Sequence, residues 1–417
     1  MNESQATQKT KRRARIMGIV FLVFAVGMLA LFVPGTEAGQ RTTFVFEAAR
    51  DQALPIGDLV FPTRLGLYLM AAVAAAAGGW QLAKGFEHAD AVLAVVAGAF
   101  VLAFLAWAAR GRTMNLTGMI ESSLLRAIPI LLAALSGVMC ERSGVVNIGI
   151  EGMMLAGAFL AALIGSLANN IWVGLFGALF GGALMAALLA VLAIRYKVDQ
   201  IIAGTAINIL ATGLTSYFSS RYLQENTALN SPPTFPPAPI PALSQIPIVG
   251  PAIFNHTFPV YLTMILVFAI QVMLFSTKWG LRTRAVGEHP RAADTLGVNV
   301  FLVRYVNVIL GGMVAGLGGA YLVLSSVARF DELMTAGKGF IGLAAMIFGK
   351  WNPVGALGAS LIFGFADSLQ TKLAILAVPI PSQFLLMAPY LVTMIVLAGV
   401  VGQSRAPAAD GEPYEKE

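Results

Sequence analysis

The run Glu141-Arg142-Ser143-Gly144-Val145-Val146-Asn147-Ile148-Gly149-Ile150-Glu151-Gly152 stands between two long apolar stretches. It gathers two acids, an arginine, an asparagine and three glycines in twelve residues of a chain that is otherwise strongly hydrophobic. Ionisable groups at membrane depth cost kilocalories unless they pair or line a cavity. Glycine-interrupted helices at that depth mark transport pathways more often than lipid-facing walls.

The surroundings set the class. Of 417 residues, 58% are hydrophobic and 12% charged, against roughly 25% charged in soluble domains. A span needs about 20 predominantly apolar residues. By that rule helices are expected over 16–34, 65–83, 91–109, 118–139, 150–168, 171–194, 199–219, 259–277, 305–327, 354–374 and 383–401. A run over 338–349 is too short to cross and reads as a half-helix or re-entrant element, buried in protein so that its backbone groups find partners. The fold expected is all-α: a polytopic bundle of about 11–12 membrane segments with broken or re-entrant helices. The 144–152 and 338–349 runs are expected to point in opposite directions, as an inverted repeat requires.

Charge sets the expected orientation. Lys9, Lys11, Arg12, Arg13 and Arg15 precede the first span and put the N-terminus in the cytoplasm. If 338–349 crosses with its neighbours, alternation places Lys84, Arg142, Arg195, Lys197, Lys350 and the basic 278–304 loop inside, with Arg110 and Arg112 as the weakest point. The net charge of +6 belongs to these loops and is no nucleic-acid footprint. The first apolar run is followed by further spans and lacks the usual small-residue cleavage site, so it reads as a span and not a signal peptide. Cys140, the single cysteine, excludes an intramolecular disulfide and reads as packing. Two longer connectors, 35–64 and 220–258, fall outside. The second carries eight prolines from Pro232 to Pro251 and is expected to be non-helical, extended and stiff. It serves either as a connector or as a docking surface.

No Gly-x-x-x-x-Gly-Lys-Ser/Thr occurs, so the chain is not expected to hydrolyse a nucleotide, and neither cofactor nor metal is implied. The glycines over 311–319 and the pairs Gly177/Gly181 and Gly312/Gly316 read as close helix packing. In the 278–304 loop, Pro290 and Gly297 frame a helix-forming stretch, which predicts a two-turn helix too short to stand alone in water.

Three separated blocks carry a family resemblance: 141–159; Gly287-Glu288-His289-Pro290-Arg291-Ala292-Ala293-Asp294-Thr295-Leu296-Gly297-Val298; and Gly339-Phe340-Ile341-Gly342-Leu343-Ala344-Ala345-Met346-Ile347-Phe348-Gly349-Lys350-Trp351-Asn352-Pro353. In this order they resemble the ABC-importer permeases of the ribose, branched-chain amino acid and nucleoside type, most nearly the second permease of nucleoside importers. The proline-rich loop and Ile380-Pro381-Ser382-Gln383 belong to the likeness. The resemblance implies a gate for nucleosides in a bacterial cytoplasmic membrane, in contact with lipid. ABC ATPase subunits, a second homologous permease and an extracytoplasmic binding protein or lipoprotein would be its partners. It implies an ATPase coupling site at Glu288, Pro290, Arg291, Ala292, Asp294 and Gly297. The core permease is expected over 115–402, after an N-terminal extension (1–114) of about three spans that the core does not need, and before a cytoplasmic tail (403–417). The alternatives are a simple sugar or branched-chain amino acid as substrate, or a stand-alone ion-coupled transporter.

Candidate pathway residues are Asn147, Glu151, Asn208, Asn307, Phe340 and Asp367. Asn147 and Glu151 are expected on one helical face at i, i+4, with Glu151 either on the route or paired with a neighbouring helix or Arg142. Asn208 and Asn307 sit in spans, where amides commonly bond another helix for about 0.6 kcal/mol. Phe340 flanks the short element and offers a stacking face for a base. Asp367 is expected to face the bundle, and Glu121 and Arg126 to neutralise each other.

Overall fold

The computed structural model describes residues 3–46, 57–376, 384, 387 and 405–416. The described chain is overwhelmingly helical, with five short strands. It divides into two compact units: residues 1–118 with 371–381, and 119–370 with 382–417.

The first unit is a three-helix assembly with a small sheet. α1 (Glu3–Gly27) continues into a wider π-helical turn over Met28–Phe32, and α2 (Thr63–Ala83) and α3 (Ala89–Ala108) complete the helices. Phe21, Met28, Phe32, Leu67 and Val96 are buried among them, and Phe32 stacks on Trp107 at 5.6 Å. The 35–64 connector is not plain loop. Its β1 (Arg41–Val45) pairs antiparallel with β2 (Leu59–Pro62) and parallel with β3 (Thr113–Asn115). Thr42 Oγ1 shares a hydrogen bond with Thr63 Oγ1 and donates to the Ala106 carbonyl, tying the sheet to α2 and α3.

The second unit holds α4 (Leu116–Glu141), α5 (Ile150–Ala168), α6 (Ile171–Ala190), α7 (Gln200–Phe218), α8 (Val249–Ile253), α9 (Phe258–Ser276), α10 (Lys278–Glu288), α11 (Pro290–Thr295), α12 (Val300–Tyr321), α13 (Lys338–Phe348) and α14 (Pro353–Ile375). Polar caps set several starts. Asn170 accepts from Trp172 N and Val173 N at α6, Asp199 from Ile201 N and Ile202 N at α7, and Asn299 from Leu302 N at α12. α5, α6 and α12 form the tightest cluster, where glycines let backbones touch. A Cβ on Gly157 would stand 2.6 Å from Gly316 Cα, and one on Gly181 2.9 Å from the Ala156 carbonyl oxygen.

Among the described residues nine helices are long and apolar enough to cross a membrane. The helix expected over 354–374 forms as α14, which is not among those nine. α13 is the expected short apolar element. The span expected over 383–401 lies outside the described residues, save Phe384 and Met387.

The expectation of a wholly non-helical 220–258 loop is corrected. The segment contains 3-10 turns at Thr227–Asn230 and Leu243–Gln245, and α8 includes Pro251. Proline forbids helix interiors but fits a first turn, and these helices are only a turn long. β4 (Pro237–Pro239), after the first of these turns, pairs antiparallel with β5 (Asn255–Thr257), which follows α8.

The connections of this unit fall on two faces. Arg142 reaches the Lys350 and Trp351 carbonyls, and Gly287 meets Ala409, on the tail-bearing face. Asn230 bonds Phe330, and Phe235 N donates to the Leu324 carbonyl, on the proline-rich face.

Candidate functional site: two chain breaks meeting at one carboxylate

Two interruptions of helix meet inside the second unit. The first is the chain over 142–149, between α4 and α5. Gly144 turns it with φ +83°, and Val146 N donates to Gln200 Oε1. It does not reach helical geometry until Ile150, so Asn147 and Glu151 do not share a helical face. Asn147 is fully buried, and its Nδ2 contacts Cys140 Sγ (3.3 Å) and Met153 Sδ (3.5 Å). Asn208, on α7, closes the break. Its Oδ1 accepts from Gly152 N (2.8 Å) and its Nδ2 donates to the Ile148 carbonyl (2.9 Å). Two backbone groups stranded by the missing helical turn are thereby satisfied. Asn208 lies eight residues into α7, or about 12 Å at 1.5 Å per residue, so the break sits well inside the layer.

The second interruption precedes α13. Gly337, at φ +79°, turns the chain into the helix. Glu151 Oε1 accepts from Gly337 N (2.8 Å) and Oε2 from Gly339 N (2.6 Å). The carboxylate thus caps the positive end of a short helix with two charge-assisted bonds. Of the two pairings open to Glu151, the structure has the neighbouring helix and not Arg142. Arg142 Nε and Nη2 instead bind the Trp351 and Lys350 carbonyls, at 2.8 and 3.2 Å.

Beside this junction lies a cavity of about 570 Å³, lined by residues of α4, α12, α13, α14 and the proline-rich segment. Within it Arg126 Nη1 meets Asp367 Oδ2 at 2.7 Å, so the expected Glu121–Arg126 pairing is replaced by one across helices; Glu121 also lines the cavity. Pro129 lacks the N–H that would bond the carbonyl four residues earlier. That carbonyl, on Leu125, accepts the Tyr321 hydroxyl at 2.9 Å. Lys338, at the start of α13, and Ser325, whose Oγ has no hydrogen-bond partner among the described residues, also line it. Among the lysines, arginines and acids of the lining, Arg126 and Lys338 balance Glu121 and Asp367, with no net formal charge between them. Sequence reasoning missed Arg126, Tyr321 and Lys338 as a group, because nothing in their spacing brings three separate helices together.

The other candidate residues stand elsewhere. Phe340 is half exposed on α13 and does not line the cavity. Asn307 is fully buried and donates to Thr283 Oγ1 (3.1 Å) and the Val303 carbonyl (2.8 Å), joining α12 to α10.

The stretch 278–299 is a helix pair. α10 went unpredicted, though Thr277 is a readable cap, its Oγ1 accepting from Gly280 N at 3.1 Å. His289 breaks the pair at φ −149°, ψ 80°, Pro290 opens α11, and Gly297 closes it at φ +81°. Ala293 is buried, whereas Arg291, Ala292 and Leu296 are exposed, Leu296 by 85%. Asp294 faces Lys416 at 3.7 Å, and Glu288 Oε2 accepts from Ala408 N at 3.2 Å.

Comparison with known proteins accords with this architecture. The family model described as the branched-chain amino acid transport system permease component matches residues 119–401. The guanosine ABC transporter permease protein NupQ of Bacillus subtilis (strain 168) is 42% identical over 311 residues, covering 71% of this chain and 96% of the relative. The nucleoside ABC transporter permease protein NupC of Lactococcus lactis subsp. cremoris (strain MG1363) is 40% identical over 312 residues, with the same coverage. No solved structure is significantly similar to the chain. With its spans, broken helices and family match taken together, the chain is a multi-pass membrane protein that belongs to the permease-component family of ABC transport systems.

Proposed function

We propose that this protein is the nucleoside-translocating permease of an ATP-driven importer, and that the cavity around Arg126 and Asp367 is part of the substrate route. The observation that carries the reading is a balanced, hydroxyl- and charge-lined cavity of about 570 Å³ beside two broken helices joined at Glu151. That volume falls in the range that encloses small ligands. A lining with no net charge suits a neutral, hydroxyl-rich solute, whose groups exchange water for the ion-paired side chains at little desolvation cost. The relatives named for guanosine and nucleosides support the same substrate class.

In this reading the tail-bearing face is cytoplasmic, in keeping with the basic N-terminus, and the proline-rich face receives substrate from an extracytoplasmic binding protein or lipoprotein. ATP is hydrolysed by separate subunits that dock on the exposed side of α11, and a second, related permease completes the pathway. Residues 1–118 lie before the residues that the family model matches.

The test is uptake of labelled uridine and adenosine in cells with and without the gene, with glucose and leucine as competitors. Uptake is expected to vanish on deletion and to be suppressed by unlabelled nucleosides alone. Uptake that survives deletion, or that glucose or leucine suppresses, removes the nucleoside assignment.

A further inference from the structure

The stretch 405–416 forms neither helix nor strand, yet it is fastened to four parts of the second unit. Ala409 N donates to the Gly287 carbonyl at 2.9 Å, and Ala408 N to Glu288 Oε2. Arg304 Nη1, on α12, donates to the Glu412 carbonyl at 2.9 Å. Tyr414 is buried with its ring 5.4 Å from that of Phe301. Lys197, in the α6–α7 link, pairs with Glu415, and Lys416 with Asp294. Terminal segments fray unless tied down, because ordering them costs conformational entropy. This density of ties marks a built contact.

The ties converge on one point. A Cβ at Gly144 would stand 3.0 Å from Arg304 Nη2 and 3.1 Å from the Ala409 carbonyl oxygen, and one at Gly287 would strike the Arg142 carbonyl. The first chain break, the α10–α11 pair, α12 and the tail therefore touch with no room for a side chain. Arg304 is 1% exposed, and its Nε and Nη2 lack hydrogen-bond partners among the described residues. Asp410 and Glu412 of the tail are the acids within its electrostatic reach. A buried guanidinium stripped of the tail loses the Glu412 carbonyl it bonds and the polar groups beside it. The tail does not cover the helix it steadies. Asp294 faces it and Arg291 is within electrostatic reach of Glu415, while Ala292 and Leu296 stay exposed.

We propose that residues 405–416 are a positioning strap that fixes α10–α11 against the break at 142–149, so that a displacement of α11 is passed to the gate, with Asp410 as the positioning residue beside Arg304. The proposal rests on the reading of α11 as the surface that receives the ATPase. A segment that touches both the receiving helix and the break gives the contiguous physical path that coupling between distant sites requires.

The test uses the complete transporter in membranes of cells that carry its partner subunits. A stop codon at Arg405 and Asp410→Ala are expected to lower the Vmax of ATP-dependent uridine uptake about tenfold, at unchanged KM and unchanged amounts of chain in the membrane. Asp410→Asn, which keeps the shape and the hydrogen bonding, is expected to restore uptake to within about twofold of wild type. In a second arm, Lys197→Cys with Glu415→Cys is bridged by a bifunctional thiol reagent to lock the tail in place, and the locked chain is expected to keep transporting. Loss of uptake on locking means that the tail must leave its seat in each cycle, and overturns the strap. So does full uptake after truncation, or an Asp410→Asn variant as impaired as Asp410→Ala. Uptake by the intact chain that needs no ATP would instead overturn the reading beneath it.

Discussion

Glu151 shows how a single acid comes to hold two breaks at once. Its neighbours Gly152 and Ile148 are bound by Asn208, and its own oxygens bind Gly337 N and Gly339 N. Glu151→Ala leaves those two N–H groups without a charged acceptor, a loss of about 2–3 kcal/mol on the scale of charge-assisted bonds. Glu151→Gln offers one carbonyl oxygen and should lose roughly half of that. Thermal unfolding of the purified chain in detergent is expected to rank wild type above Gln above Ala; equal stability of the three would show that the cap contributes nothing. Asp367 has a different position, paired with Arg126 in the cavity wall. Asp367→Ala leaves Arg126 without this partner, and on the proposed substrate route it should raise the KM for uridine at least tenfold while the chain still inserts. A KM unchanged from wild type would take the cavity off the route.

At the scale of elements, α11 carries the proposed coupling. It is six residues long and far too short to persist alone, so its place is set by its neighbours: Ala293 packs inward among Val286, Val300, Val303 and Tyr414. Leu296 projects from its end, 85% exposed, an apolar side chain placed to enter a pocket of a partner and so serve as a hot spot. Leu296→Asp is expected to cut co-purification of the ATPase subunit by tenfold or more, about 1.4 kcal/mol or above, without changing the chain's own stability. Gly297→Pro should be more severe, because proline is locked near φ −65° and this position sits at +81°. Co-purification undiminished in both variants would move the docking surface elsewhere.

For the molecule as a whole, the tail gives a pH dependence. Burial pushes the Asp410 carboxyl up from its ordinary 3.8 to about 7, opposed by its hydrogen bond to Glu141, by Arg304 and by the Gly411 backbone. Glu141 from the end of α4 and Arg304 from α12 are thus the charged groups that face it. With the tail seated, Asp410 holds its proton up to a higher pH than with the tail free. Between about 4 and 7 the free tail has released that proton while the seated one retains it. Seating therefore weakens as pH rises through this window and levels off above it. Crosslinking between Lys197→Cys and Glu415→Cys, followed from pH 5 to pH 8 at constant thiolate reactivity, is expected to fall with pH. In Asp410→Asn the Asp410 part of that slope should be absent, and an identical slope in both chains would assign the dependence to another group.

Composition and segment length were enough to determine a helical membrane bundle, since spans of about 20 apolar residues have no other stable form in lipid. The Pro290–Gly297 frame likewise announced α11, because those two residues fix local backbone angles. What the tertiary structure decided is every pairing across the bundle. Arg126 reached Asp367 rather than Glu121, Glu151 reached α13 rather than Arg142, and Asn147 fell before α5 rather than on it. The tail likewise found Arg304 and Gly287. Local spacing cannot rank such partners. In a bundle the identity of the facing helix is settled by where glycines let backbones close and where stranded N–H and carbonyl groups must be met, and both are properties of the packed whole.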